Sequence, residues 1–470
     1  MASAPSDPQL HEPETKIKEL CERLALSADQ MLIGDAIGED YSHDECINVD
    51  AVMPAVVVKP TSTEEVSRIL TLANELRVPV TCRGAGTGLS GAAIPDADGI
   101  LLSLERMAAI LEVDTANHVA VVQPGVTLGQ LDEALAPHGL VYPILPGEES
   151  ASLGGNVATN AGGMRAVKYG VTRHQVLGME AVLPTGEIIR SGGKFVKFTS
   201  GYDIGQLVIG SEGTLAVVTE VTLKVVPRLA HKSTLLAPFA TLAEVTGAVP
   251  TILHAGLVPL MLEYVDAMAM SATSESLGLD LGMPDEIKEN ALAYLLIVLE
   301  SADEDRLQAD IEEAGAIVGD AGAMDVYVLP AAAGSQVLEA REKAFWVAKE
   351  HGADDIIDVV VPRSSIPAYL DTVGALAASH GAWVAGAGHA GDGNVHLSVF
   401  QGDDEKRSAL MTAILAAGMD LGGTISAEHG IGLAKRDHML HLEDPAKLAL
   451  MRRIKAAFDP NGILNPGKVF

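Results

Sequence analysis

Apolar positions recur three and four residues apart between Glu14 and Leu26, the period of an amphipathic helix. The run from Ala55 to Lys59 is apolar and β-branched and predicts a strand. Ser62, followed by Glu65, predicts a capped helix start. Val66, Ile69, Leu70, Ala73 and Leu76 give that helix one apolar face. Pro79 to Thr81 reads as the next strand and runs into a glycine-rich loop, RGAGTGLSG, over Arg83–Gly91. From Ile100 to Pro227 strand patterns dominate, in ILLSL, HVAVVQP, VLGMEAVLPTGEII and LAVVTEVTLKVV. One helix interrupts them, opened by a second capping box at Thr127 and Gln130. Beyond Pro227, helical runs alternate with strands such as LMLEYV, AYLLIVLE, AMDVYVL and IIDVVVP, which predicts a separate α+β unit over Leu257–Phe400. Met270–Glu289 is polar and irregular, an insertion loop or surface helix, and the end returns to motif density in GGTISAEHGIG and NGILNPGKVF.

Composition narrows the class. A chain of 470 residues is too long for one core, so two or more domains are expected. Hydrophobic residues at 48% and charged residues at 20% fit a soluble globular enzyme. A net charge of -31 argues against nucleic acid or anionic membrane as direct partners, because both would repel it. Cys21, Cys46 and Cys82 form no CxxC pair and no disulfide framework, which fits a reducing cytosol. The start, MASAPSDPQLHEPET, lacks the basic and apolar regions of a signal peptide. No apolar run approaches the roughly 18 residues that span a bilayer. The expectation is a cytoplasmic protein, with attachment to the inner membrane face and a homodimer left open.

Glycine-rich loops let backbone amides approach a polyanion closely. The Arg83–Gly91 loop does so after a strand, yet it matches neither GxGxxG nor the P-loop. A second cluster, ASLGGNVATNAGGMRAVKYG over Ala151–Gly170, has no long apolar face and offers Asn156, Thr159 and Asn160 as side-chain donors. It suits backbone wrapped around a flat polar ligand. A third segment, GSEGTLAVVTEVTLKV, joins a glycine turn to a buried strand.

In this order and spacing, the three segments resemble the FAD-binding domain of the vanillyl-alcohol oxidase / p-cresol methylhydroxylase superfamily. The resemblance implies that the loop with Arg83, Gly84, Gly86, Thr87 and Gly88 wraps the FAD pyrophosphate. It implies that Gly155, Asn156, Thr159 and Asn160 line the cofactor, and that the turn at Gly213 sits near its adenosine end. Some members tether the flavin through a histidine in the first loop; this loop has none, so FAD is expected to be non-covalent. Pro146-Gly147-Glu148-Glu149 stands where many relatives carry an Asp-Pro pair.

GHAGDGNVH places His389 and His396 around a glycine turn, and SAEHGIG adds Glu428 beside His429. Two imidazoles and a carboxylate with positions left open suit catalytic Zn²⁺, Mn²⁺ or Fe²⁺. Asp392 is a competing ligand, a turn-former or a partner to a ligand. Both motifs, with the NPGK near the end, resemble the FAD-linked D-2-hydroxy-acid dehydrogenases, which include D-lactate dehydrogenase, the glycolate oxidase flavin subunit and D-2-hydroxyglutarate dehydrogenase. This resemblance implies an α+β fold with a helical lead (1–54), a two-subdomain FAD-binding domain (55–228), an α+β substrate or cap domain with an antiparallel sheet (229–415), and a segment returning to the FAD domain (416–470). It implies that His389, His396 and Glu428 hold a divalent metal, with zinc the first choice, and that His429 is the catalytic base. It also implies that Asn465 lies near the flavin ring and that Arg341 pairs with the substrate carboxylate, for which Arg363 is a second candidate. A small D-2-hydroxy acid of lactate or glycolate size is expected. Relatives acting on hydroxyglutarate carry a lysine and an asparagine where this chain has Ile356 and Ser398. The electron acceptor is left among quinone, electron-transfer flavoprotein, cytochrome and oxygen. A D-2-hydroxyglutarate dehydrogenase, a flavin-free metallohydrolase and a nucleotide-binding subunit with a dead site are the competing readings.

Overall fold

The computed structural model describes residues 12–278 and 281–470. The polar lead 1–11, and residues 279 and 280 within the Met270–Glu289 stretch, lie outside the described residues. The expected α+β class holds: among the described residues three larger sheets and one two-stranded sheet carry the fold, and helices pack on them.

The first sheet runs Met31–Ile33, Val56–Val58, Ile100–Ser103, Val80–Arg83. Its last three strands are parallel. Val56 to Val58 and Ile100 to Leu102 are buried, and such unbroken apolar runs belong to sheets covered on both faces. Helix Thr63–Leu76 buries Val66, Ile69, Leu70 and Ala73 on one face, where helix Glu12–Leu24 joins the same core through Ile17, Leu20 and Leu24. The lead is therefore more than helical, because Met31–Ile33 adds an antiparallel edge strand. Ser62 Oγ accepts from the Glu65 amide at 3.3 Å, but the Glu65 carboxylate accepts from the Thr61 amide at 2.7 Å, so the expected box closes one residue early. The Thr127–Gln130 box closes in both directions.

The second sheet is antiparallel, in the order Ile110–Asp114, Val119–Val122, Val217–Lys224, Val176–Val182, Ile188–Gly192. Ala151–Gly170 contains a helix, Leu153–Thr159, that its pattern does not announce. Leu153 and Val157 are buried in the core of this sheet, and Ser152 caps the helix.

The third sheet has seven antiparallel strands: Tyr327–Leu329, His231–Phe239, Ala293–Ser301, Met261–Asp266, Trp383–His389, Asn394–Phe400 and Asp355–Val360. Helices Leu242–His254, Glu304–Asp320, Ile366–Ser379 and Asp404–Asp420 share one core with alternate strand residues such as Leu235, Tyr264, Ile357, Val359, Val395 and Val399. The period of two sends Glu263, His389, His396 and Asp358 to the other face. Met270–Glu289 is mostly helix, within Ala267–Leu277 and Asp285–Asn290.

After helix Pro445–Phe458 the chain returns to the first sheet. The Val80 amide donates to the Ile463 carbonyl at 2.8 Å, and the Asn465 amide to the Val80 carbonyl at 2.7 Å. Leu464 thus bridges in parallel to Val80 on the sheet's open edge. No helix among the described residues is long and apolar enough to cross a membrane.

Candidate active site

Two cavities meet at one wall. The first is lined by the Arg83–Gly88 loop, by Gly155, Asn156 and Thr159, by Gly213 and by Asn465. Ser152 Oγ ties its glycine segments together, accepting from the Ala85 amide at 3.2 Å and the Gly155 amide at 3.3 Å. A Cβ on Gly84 would collide with that hydroxyl, so glycine is required for this approach. Asn465 Oδ1 accepts from the Cys82 amide at 2.8 Å and its Nδ2 donates to the Glu212 carbonyl at 2.6 Å.

Two predicted residues serve the scaffold. Asn160 does not line the cavity; it caps helix Leu153–Thr159 in the left-handed conformation, and its Oδ1 accepts from the Arg173 amide at 3.0 Å. Arg83 lines the cavity, but its Nη1 donates to the His43 carbonyl at 2.5 Å, drawing the guanidinium beneath the loop. Pro146 and Glu148, of the stretch that departs from the Asp-Pro pattern, also line this cavity.

Asn156 Nδ2 and Ser211 Oγ are buried in the same wall without a protein partner. Each such group costs roughly 1–3 kcal/mol unless something pairs with it. Glycine-lined backbone and orphaned donors fit a large polar cofactor such as FAD. Burial pushes the Cys82 thiol up to about 12, which removes it as a nucleophile toward such a group.

The second cavity, of about 510 Å³, lies on the open face of the third sheet and shares Leu89, Pro146, Glu428 and His429 with the first. His389 and His396 stand across a tight hairpin, their rings 4.9 Å apart. Glu428 Oε1 lies 3.3 Å from Nε2 of each. These ligand atoms fall within 4.8 Å of one another, and His396 Nε2 makes no hydrogen bond. Two ring nitrogens and a carboxylate converging on one point fit a divalent cation. Asp392 lies outside this group and instead holds the turn, accepting from the Asn394 amide at 3.1 Å.

Two carboxylates missed by pattern reading organise the centre. Glu263, fully buried, accepts from His389 Nδ1 at 2.7 Å and stands 3.1 Å from Arg341 Nε. It turns His389 Nε2 toward Glu428 in the manner of carboxylate partners of metal-bound histidines. Asp358, also fully buried, accepts from the backbone amides of Ala427, Glu428 and His429 at 3.1, 3.2 and 2.9 Å and from Ser426 Oγ at 2.7 Å. Lys435 Nζ lies 3.5 Å from it. From the FAD side, buried Glu212 accepts from the Ile431 and Gly432 amides, both at 2.7 Å. One loop therefore hangs between two carboxylates from distant parts of the chain. The signal was present in LMLEYV and IIDVVVP, where a single acid interrupts an apolar strand.

Electrostatics favours a cation here. Burial opposes charge on Glu428, yet His389 and His396 hold its carboxyl well below the usual range. Burial also opposes charge on His389, but Glu263 and Glu428 outweigh it and raise its pKa. His429 differs: burial pushes it down to about 4, against the pull of Asp358.

Arg341 closes the second cavity. Its side chain is only 10% exposed, and Nη2 is buried without a partner. Arg363 lies exposed outside the cavity lining, so it does not share this position. Ile356 and Ser398 are cross-strand neighbours in the cavity wall.

Residues 228–469 match the family described as FAD linked oxidases, C-terminal domain, and residues 54–192 match an FAD binding domain. The chain is 57% identical to an uncharacterized FAD-linked oxidoreductase of Mycobacterium tuberculosis strain H37Rv, over 94% of this chain and 96% of that protein. It is 41% identical to a D-lactate dehydrogenase of Anaerostipes hadrus, over 94% of this chain and 95% of that one. A crystal structure of p-cresol methylhydroxylase with substrate bound superposes with a TM-score of 0.80 at 17% identity, covering 100% of this chain and 98% of that one, and shares the fold.

Proposed function

Since the chain belongs to the FAD-linked oxidases and is an FAD-linked oxidoreductase, we propose that it oxidises a D-2-hydroxy monocarboxylic acid to the 2-oxo acid with a divalent metal at His389, His396 and Glu428. The observation that carries this reading is the convergence of the buried, half-satisfied Arg341 guanidinium, the His389–His396–Glu428 donor set and His429 on one cavity. When bound, FAD supplies the two-electron acceptor and the cation a Lewis acid for the substrate hydroxyl. Arg341 grips the carboxylate, with Glu263 fixing the orientation of both the guanidinium and His389. His429, in the wall common to both cavities, takes the hydroxyl proton at the ring nitrogen turned away from Asp358. The alcohol thus loses that proton to His429 and its C2 hydrogen, with the bonding pair, toward the first cavity. The D configuration is supported by the A. hadrus relative. Quinone, electron-transfer flavoprotein or cytochrome would reoxidise the flavin.

The test is dye-linked oxidation of paired D- and L-2-hydroxy acids by purified protein. Turnover of D acids alone is the expected result, and failure with every acid of both series would sink the proposal. Two accompanying outcomes are expected. Acid precipitation should release the yellow colour into the supernatant, because the first loop lacks a histidine tether; colour retained in the pellet would show a covalent bond. Chelation should abolish turnover while leaving the flavin spectrum in place, with recovery on adding zinc or manganese. Full turnover by protein shown metal-free by elemental analysis would remove the metal from the reaction.

A further inference from the structure

Resting on that reading of the site, we propose that the substrate is a 2-hydroxy monocarboxylic acid carrying a bulky apolar group on C2, an aromatic ring or an aliphatic chain of several carbons. The size expected from sequence, that of lactate or glycolate, came from the absence of a second cation, which excludes a second carboxylate but sets no limit on apolar bulk.

The volume is the first argument. About 510 Å³ lies within the ~300–1,000 Å³ of sites that enclose drug-sized ligands, far beyond what a three-carbon acid fills. The second argument is the order of residues along the sheet. On the hairpin that carries the histidines, Ala387 faces His396, Ala385 faces Ser398 and Trp383 faces Phe400. Moving out from the donor set, the hairpin's own residues are first small and then aromatic, with Ile356 beside Ser398 adding an aliphatic wall. The four steps along the strand from His396 to Phe400 cover ~13 Å. Phe345 and Met268 complete the apolar lining. Trp383 is 62% exposed, so the mouth presents aromatic surface that a substrate side chain would cover. Charge is the third argument. Arg341 is the only arginine or lysine in the described lining, and Glu342 stands next to it. One carboxylate finds a partner there, and a second would be repelled.

The experiment is a homologous series of D acids: lactate, 2-hydroxybutyrate, 2-hydroxyhexanoate, 2-hydroxyoctanoate and 3-phenyllactate, with D-2-hydroxyglutarate as the dicarboxylate control. Two readouts are taken: kcat/KM with a dye acceptor, and the calorimetric Kd of the matching 2-oxo acids. A buried methylene contributes ~0.8 kcal/mol, about fourfold, so the five extra methylenes of 2-hydroxyoctanoate should gain on the order of 10²- to 10³-fold over lactate. Binding of the long 2-oxo acids should also carry a larger negative heat-capacity change. Ala385→Leu fills the floor and should collapse the octanoate-to-lactate ratio toward one; Phe400→Ala, which only removes bulk, serves as a second variant if that protein does not fold and should lower the phenyllactate-to-lactate ratio. Equal or better kcat/KM for lactate or glycolate would overturn the proposal while leaving 2-hydroxy-acid oxidation standing. A preference for hydroxyglutarate would overturn it too. No turnover and no binding across the whole series would overturn both readings together.

Discussion

Replacing His429 by alanine is expected to cut kcat by about 10²- to 10⁴-fold, the usual contribution of a positioned general base, while FAD remains bound. That loss is ~3–5 kcal/mol of barrier. The expectation rests on position. His429 and its neighbour Glu428 are the two titratable side chains that line both cavities, and Glu428 is committed to the histidine pair. The His429 backbone amide is held by Asp358, so removing the ring leaves the loop anchored. The measurement is single-turnover flavin reduction with bound flavin and metal quantified in the same sample. An unchanged reduction rate would move the base elsewhere, and lost metal with retained flavin would make His429 a ligand, a role its place with Asp358 and His396 in a second donor group allows.

The second large effect concerns a residue that touches no substrate. Asp358→Ala should destabilise the protein by at least ~3 kcal/mol and remove most turnover. The carboxylate accepts from three consecutive backbone amides, Ser426 Oγ and Asn394 Nδ2, and sits 3.5 Å from the buried Lys435 ammonium. Deleting one partner of a buried ion pair costs about 3–5 kcal/mol, because the other charge stays buried alone. Asp358→Asn separates the contributions: it keeps one acceptor oxygen and the volume but not the charge. The two proteins should fall in the order Asn above Ala in melting temperature, both below the parent. Unaltered thermal unfolding and unaltered metal content in the alanine variant would show that the loop needs no such anchor.

How far the sequence reveals this centre depends on what each residue does locally. His389, His396 and Glu428 were legible because glycine turns and paired histidines serve no packing purpose. Thr127 and Gln130 were legible because a cap is decided within four residues. Arg341 was singled out only through the family resemblance, because nothing in its own surroundings reveals its burial, which depends on Glu263, from a strand far away in sequence. Asn160 went astray for the opposite reason: a carboxamide in a glycine-rich stretch looks like a ligand donor, but at a helix end it adopts the left-handed cap more readily than most side chains. Helix Leu153–Thr159 escaped notice because its glycines and small residues leave no apolar stripe. Its stability comes from the Ser152 cap and from burying Leu153 and Val157 beneath the second sheet. Asp358, Glu263 and Glu212 are tertiary in origin. Each is a lone acid whose meaning appears only when the loop it holds is brought to it.

The bonds from Asn465 to Cys82 and Glu212 span 383 and 253 residues of chain. Contacts of such high order are slow to form, because a very long loop must close before any energy is returned. During synthesis at about 5–20 residues per second, roughly 20–80 s separate the emergence of the Val80–Arg83 strand from that of the segment that covers its edge. Through that interval the nascent sheet offers a row of unpaired backbone groups, the kind of template on which chains aggregate. The cofactor pocket is then unfinished on the same side, so flavin capture falls at the end of folding rather than guiding its start.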